Sequence, residues 1–372
     1  MTASIRAAAG LAVALIAGAA MAQPIDYRVE TVASGLEHPW SLAFLPDGRM
    51  LVTERPGRLR LIDADGSLRA EPVQGVPEVH SGGQAGLFEV ALAPDFEQSG
   101  TLLLSYACGT REQNNTCVAR ARFDGDRLRD VQTIFTAQPM KRGNAHYGGR
   151  IAFLPDGSFV LGLGDGFDFR EQAQDPGNHI GTIVRLNLDG SYPEDNPFVG
   201  RADHAPEVFT YGHRNVQGVL YDAANQRLLA IEHGPRGGDE LNVLEPGGNY
   251  GWPVVTFGLD YSGARITPFR SLSGFMPPAH HWSPSIAPAG MVIYRGTLFP
   301  EWDGDILVAA LTQERGVHRM RISDGVVKRE QLLLHDRDER VRDVRVGPDG
   351  SIFVLTDLAQ DGRVLRLAPP GR

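Results

Sequence analysis

The sequence predicts an all-β protein, a six-bladed β-propeller of four-stranded antiparallel blades, and three observations carry that prediction. Glycine and proline together supply 69 of 372 residues, well above the roughly 12% usual in globular chains. No long run carries an apolar stripe at helical period, and short apolar runs broken by turns fill the chain instead. Six segments then repeat one pattern of apolar run, Pro-Asp-Gly-like turn and second apolar run.

In chain order the six are LAFLPDGRMLVTE (42–54), VALAPDFEQSGTLLLSY (90–106), IAFLPDGSFVLGLGDG (151–166), VLYDAANQRLLAIEHG (219–234), MVIYRGTLFPEWDGDILVAAL (291–311) and VRVGPDGSIFVLTD (344–357). The turn residues supply the fixed or positive φ that a tight reversal needs, and the flanking aliphatic and β-branched residues suit paired strands. Each segment therefore reads as a β-hairpin. The turns fall near positions 46, 94, 155, 223, 300 and 348, leaving 48 to 77 residues per unit, room for four strands and a variable loop. Runs such as GRLRLID (57–63) and GRVLRLA (362–368) provide further strands. Six such units close radially with few free sheet edges; a β-sandwich would not require six copies of one hairpin.

At the N-terminus, Arg6 precedes an apolar run from Ala7 that ends in Ala20-Met21-Ala22. This has the form of a secretory signal peptide over 1–22, and the run falls short of the roughly 20 apolar residues that span a bilayer. The remaining 23–372 are expected to form one propeller domain in the periplasm or outside the cell. No later segment is apolar enough to span a membrane. Without Arg6 the charge is 35 − 45, or −10, spread without blocks, which speaks against a nucleic-acid partner. Cys108 and Cys117 are the only cysteines; flanking a polar loop in an exported chain, they read as a disulfide stapling a long hairpin.

Propeller function belongs to the loops at the channel mouth, where a sequence departs from its repeat. The departures are GGQAGLFEV (82–90), NAHYGGR (144–150), YGHRN (211–215), EHGPRGGDELN (232–242), GGNYGWP (247–253), SPSIAPAG (283–290) and RVRDV (340–344). His146 precedes two glycines that allow close approach of a ligand, and a neutral imidazole suits proton removal near pH 7. Arg214 and Asn215 place a fork donor beside an amide, suited to an anionic or carbonyl-rich planar ligand. Arg340 and Arg342, at i and i+2 of a strand, face one side and can grip carboxylates. The segment around Gly234, Pro235 and Glu240 lacks the spacing of an EF-hand, a zinc site or a P-loop, yet offers hard oxygen ligands. Asp239 and Glu240 are adjacent, so they point to opposite faces of a strand and cannot form an acid/base pair.

Taken in order, GGQAGL, HYGGR, YGHRN, EHGPRGGDELN, GGNYGWP, SIAPAG and RVRD resemble the soluble aldose sugar and glucose dehydrogenases that depend on pyrroloquinoline quinone (PQQ), collinearly over about residues 30–368. The resemblance implies oxidation of an aldose at the anomeric carbon to a lactone, with hydride passing to PQQ and His146 as general base. It places Gln84, Arg214, Asn215, Arg340 and Arg342 around the quinone, with Arg214 also polarising it, and Ser285 and Thr312 in the pocket wall. The carbonyls of Gly234 and Pro235 would hold a calcium on the cofactor, and Glu240 with the Tyr250 carbonyl a second, structural one. An external electron acceptor would reoxidise the cofactor. Ala145 stands where the glucose-dehydrogenase branch has an acidic residue, and Thr312 lies where that branch supplies a lysine. Both point to the broader aldose branch. Two alternatives stay open, a metal-dependent lactonase-like hydrolase and a non-catalytic binding propeller.

Overall fold

The structure, a computed structural model, describes residues 26–323 and 326–370. The predicted signal segment 1–22 lies outside the described residues. Strand β1 (Arg28–Leu36) is followed by six sheets in chain order. The first contains β2 (Pro39–Phe44), β3 (Met50–Glu54) and β4 (Arg58–Ile62). The second contains β5 (Leu87–Leu92), β6 (Thr101–Gly109), β7 (Asn114–Phe123) and β8 (Leu128–Thr136). The third contains β9 (Gly148–Phe153), β10 (Phe159–Leu163), β11 (Thr182–Leu186) and β12 (Val208–Tyr211). The fourth runs β13 (Val216–Asp222), β14 (Arg227–Glu232), β15 (Asp239–Leu244) and β16 (His280–Trp282). The fifth runs β17 (Pro288–Ile293), β18 (Ile306–Ala310), β19 (Gly316–Ser323) and β20 (Val326–Leu333). The sixth takes β21 (Val341–Val346), β22 (Ile352–Thr356) and β23 (Gly362–Ala368), and β1 returns to pair with β23. This pairing of the first and last described strands closes the propeller.

Each of the six repeated segments forms the two innermost strands of a blade. The first blade departs from four regular strands. Its sheet has three, and the segment 67–73 takes the outer place, donating from Arg69 N to Leu61 O at 3.0 Å and from Val73 N to Leu59 O at 2.8 Å. The cause is local: Glu71 and Pro72 interrupt the run, and proline cannot donate to a ladder.

Burial follows strand position. The second strand of each blade is covered by a neighbour on both faces, so MLVTE, FVLGL, ILVAA and IFVLT are buried throughout. That is why these strands read as continuous apolar runs and not as alternating ones. Between blades, Leu87, Leu102 and Leu104 pack with Leu51 and Leu59, and full burial of each such side chain is worth roughly 1.5–3 kcal/mol. The inner strands turn polar groups to the axis. Arg150 bonds Glu89 at 3.0 Å and Asp343 at 3.0 Å, and Arg345 reaches the same two carboxylates at 2.6 and 2.9 Å. This buried network ties the second, third and sixth blades together at the axis.

The cysteine expectation holds: Cys108 and Cys117 are bridged across the β6–β7 hairpin, with Cα atoms 5.8 Å apart. Asn114 is buried and donates to Thr110 O, Arg111 O and Gly143 O; the Asn114-Asn115-Thr116 stretch is loop-closing polarity. Among the described residues no helix is long and apolar enough to cross a membrane.

Candidate active site

His146 occupies the turn that leads into β9, with φ +51°, a left-handed conformation that a non-glycine residue adopts only when its surroundings fix it. Two features fix it. The Gln84 side-chain carbonyl accepts from His146 N at 2.9 Å, and Gly164 lies so close that a Cβ there would stand 2.2 Å from His146 O. At Gly148 a Cβ would stand 2.3 Å from the Gly162 carbonyl, so the glycines of HYGGR let two chains touch beneath the imidazole.

His146 is 4% exposed, and its Nδ1 lies 2.6 Å from Asp165 Oδ1. Asp165 also accepts from Phe167 N and from Trp252 Nε1, both at 2.8 Å. A carboxyl that accepts from all sides is ionised, so Nδ1 carries the proton and Nε2, which makes no hydrogen bond to a described residue, presents a lone pair. Burial lowers the His146 pKa from its ordinary value, Asp165 opposes that, and the Arg214 charge reinforces it. Burial would raise Asp165, but its bond to His146 and the nearby positive charges hold it below the usual carboxylate range. Phe167 meets the imidazole edge-on, with ring centroids 5.2 Å apart.

Arg214 and Asn215 stand beside this pair. Glu232 Oε2 accepts from Arg214 N at 2.6 Å, and the guanidinium donates to His233 O at 3.1 Å and Gly234 O at 2.6 Å. Asn215 Oδ1 accepts from Gly148 N at 3.2 Å, tying the fourth blade to the HYGGR turn. Arg340 and Arg342 do face one side, and both reach Asp357 Oδ2, at 2.9 and 3.1 Å. They share one carboxylate, so one positive charge is left over, and Arg342 Nε is buried without a partner. His233 donates from Nε2 to Pro288 O at 2.9 Å; burial, then Arg342 and Arg214, push it well below its ordinary pKa.

Asp239 and Glu240 do point to opposite faces. Asp239 accepts from Gly234 N, Ser285 Oγ, Ile286 N and Ala287 N at 2.7–2.9 Å, and burial raises it to about 6. It thereby ties the Gly234 turn to the 283–287 loop, and Thr312 Oγ1 closes the wall by donating to Ser285 O at 3.2 Å. Glu240 lies by Glu232, and Asn242 Nδ2 donates to both, at 3.2 and 3.0 Å. Burial and then the Glu232 charge push Glu240 well above the ordinary range.

Three cavities meet here. One of about 240 Å3 is lined by Trp40, Arg55, Gln84, Asn215, Arg340 and Arg342 among others. A second, about 310 Å3, has Asp165, Phe167, Arg214, Trp252 and Tyr261 in its wall. The third, about 820 Å3, joins the first along His233, Ala287 and Thr312.

The first cavity fits a planar polyanion such as PQQ. It offers unspent positive charge, an orphaned buried donor on Arg342 and the Trp40, Phe88 and Tyr147 rings. The fit to calcium is uneven. Glu240, with crowded carboxylates and the buried, partnerless Asn242 Oδ1, suits a hard cation. Gly234 and Pro235 offer two carbonyls, and Arg214 already holds one, so the chain alone does not complete a site there. Among the described residues no three His, Cys, Asp or Glu side chains form a metal-holding group.

The sequence reading passed over Asp165, His233 and Asp357. A signal for two of them was present: Asp165 and Asp357 stand where the third and sixth repeated segments end, at LGD and LTD, just as Glu54 and Glu232 end the first and fourth. Each of these acids anchors the rim above its blade.

The glucose/sorbosone dehydrogenase family model matches residues 36–366. Aldose sugar dehydrogenase YliI of Escherichia coli is 39% identical over 360 residues, covering 95% of this chain and 96% of that protein. A crystal structure of a glucose dehydrogenase superposes with a TM-score of 0.88 at 42% identity, over 91% of this chain and 99% of the other. The PQQ-bound aldose sugar dehydrogenase of Streptomyces coelicolor follows with a TM-score of 0.74 at 30% identity, over 92% and 99% of the two chains. A propeller with a buried His–Asp pair whose Asp165 lines a cavity with Arg214, matched by the family model over residues 36–366, belongs to the glucose/sorbosone dehydrogenase family.

Proposed function

We propose that this chain is a PQQ-dependent aldose dehydrogenase that oxidises the anomeric carbon to a lactone, with His146 as the base. The observation that carries the proposal is the His146 imidazole, held neutral by burial, tethered through Nδ1 to Asp165 and with no partner for Nε2 among the described residues, between Tyr147 and Asp165, which each line a cavity.

The anomeric hydroxyl would give its proton to Nε2, and Asp165 would stabilise the imidazolium that results. Arg214 has two parts: its charge favours the neutral imidazole, and its guanidinium stabilises negative charge developing above it. PQQ, when bound, would supply the electron sink for the hydride of the anomeric C–H. Arg340, Arg342, Asn215 and Gln84 would hold it, with Ser285 and Thr312 in the wall. Trp40, Phe88 and Tyr147 line the same cavity and limit water.

Calcium enters the proposal at Glu240 and the Tyr250 carbonyl, where it would neutralise two crowded carboxylates. The carbonyls of Gly234 and Pro235 would offer oxygens to a second ion, the Gly234 carbonyl sharing its lone pairs with Arg214. Export of the chain, with 1–22 removed and an external electron acceptor in the same compartment, is supported by the Cys108–Cys117 bridge, since such bridges persist in oxidising compartments.

The test is reconstitution of the chain with PQQ and calcium, followed by dye-coupled turnover across a panel of aldoses. PQQ-dependent oxidation of several aldoses is the expected result; saturating PQQ without turnover of any aldose would refute the proposal.

A further inference from the structure

The largest of the three cavities is neither the one that fits PQQ nor the one that Asp165 lines. It holds about 820 Å3 and carries Phe257, Tyr261 and Ser285 in its wall, with Arg236 and Arg270 also lining it. That is the size of a ligand site. It shares Pro235 and Tyr261 with the cavity that Asp165 and Phe167 line.

Its charge sets it apart. The lining has two arginines and no carboxylate, in a chain with 45 acidic against 36 basic residues. Neither Arg236 nor Arg270 makes a side-chain hydrogen bond or ion pair to another described residue. The cavity walled by Asp165, the partner of His146, is the opposite: Asp165, Asp168, Glu171 and Asp260 face Arg170 and Arg214, and Arg170 already meets Glu171 at 2.9 Å and Asp260 at 3.9 Å. Arg236 is also held in place. Its backbone exchanges hydrogen bonds with Leu259 at 2.8 and 3.1 Å, and a Cβ on the following Gly237 would meet Ser283 Oγ at 3.0 Å.

We propose that this cavity receives the part of a saccharide remote from the anomeric carbon, and that Arg236 and Arg270 select an anionic group there, a carboxylate or a phosphate. The proposal rests on the sugar-dehydrogenase reading. With the reacting ring over His146, the rest of the molecule leaves past Tyr261, which is 60% exposed and offers a ring face for sugar C–H groups. It then reaches two free guanidinium forks, whose geometry matches carboxylate and phosphate oxygens. A neutral saccharide leaves both forks to water.

The test compares matched substrates on the protein loaded with PQQ and calcium: cellobiose against cellobiouronic acid for the carboxylate, and glucose against glucose 6-phosphate for the phosphate. The charged member of at least one pair is expected to have about tenfold higher kcat/KM at low salt, the size of two partly exposed charge-assisted contacts, with the ratio shrinking as salt rises. In the Arg236→Gln/Arg270→Gln double variant that ratio falls to about one. Equal use of charged and neutral sugars by an enzyme that oxidises glucose overturns the subsite and leaves the dehydrogenase reading intact. If no aldose is oxidised, that reading fails, and calorimetric binding of the two disaccharides to the same protein decides the subsite separately. A double variant that loses PQQ affinity but keeps its preference for the acid would assign the arginines to the cofactor and end the proposal.

Discussion

The third and fourth blades carry the same device, a histidine at the start of the blade bound through Nδ1 to an acid at the end of its second strand. The distances are 2.6 Å for His146–Asp165 and 2.8 Å for His213–Glu232. Their second nitrogens differ. His213 Nε2 lies 2.9 Å from Thr210 Oγ1, its ring stacks on Tyr250, and it is fully buried. His146 Nε2 has no such partner. One pair is therefore a brace for the Arg214 turn, and the other leaves a ring nitrogen open, as the proposed base requires. A histidine–acid pair is a building element of this rim, and the two copies differ in whether the second ring nitrogen is occupied.

Breaking the support should cost more than breaking the brace. Asp165→Asn is expected to lower kcat by about 10²-fold, within the range of general-base effects. The amide stabilises imidazolium less, so the His146 pKa falls further and the acid limb of the pH–rate profile moves to lower pH. An acid limb that stays in place would separate His146 from the reaction. His213→Gln should cost about 1–2 kcal/mol in denaturant unfolding, for lost buried hydrogen bonds, and leave kcat within about threefold.

A third, smaller effect lies away from both pairs. His318 is fully buried in β19, with Nε2 2.9 Å from Glu314 O, and burial lowers it to about 4. Its folded pKa lies below its unfolded one, so its stabilising effect is complete above about pH 6.5 and is lost as pH falls toward 4. At pH 5 this amounts to about 2 kcal/mol. Asp239, raised to about 6, acts in the opposite sense, gaining stability as pH falls through the same window. The difference in Tm between the wild type and His318→Gln isolates the histidine: the gap should narrow from pH 7 to pH 5, and a constant gap would show that it does not titrate.

The comparison also explains what the sequence disclosed. The hairpins were legible because each PDG-like turn and its flanking strands are local, and β2–β3, β9–β10 and β21–β22 fall where the repeats place them. The disulfide was legible for the same reason. The weak outer edge of the first blade was not, because it depends on a segment bonding without strand geometry. Among the candidate residues, His146, Arg214, Asn215, Arg340 and Arg342 were singled out through motifs, and the structure brings them to one rim. Asp165 and Asp357 were passed over because an acid ending a strand looks like ordinary polarity. Only the fold reveals that these two acids point at His146 and at the arginine pair. Arg214 lying on the Gly234 carbonyl was equally invisible, since 20 residues separate them.

The central claim is that Nε2 of His146 takes the proton. The most direct measurement is PQQ affinity and aldose turnover of His146→Ala beside the wild type, both loaded with calcium. PQQ affinity within about threefold of wild type, with turnover reduced by at least about 10²-fold, is the predicted result. Turnover at the wild-type rate in His146→Ala would contradict it.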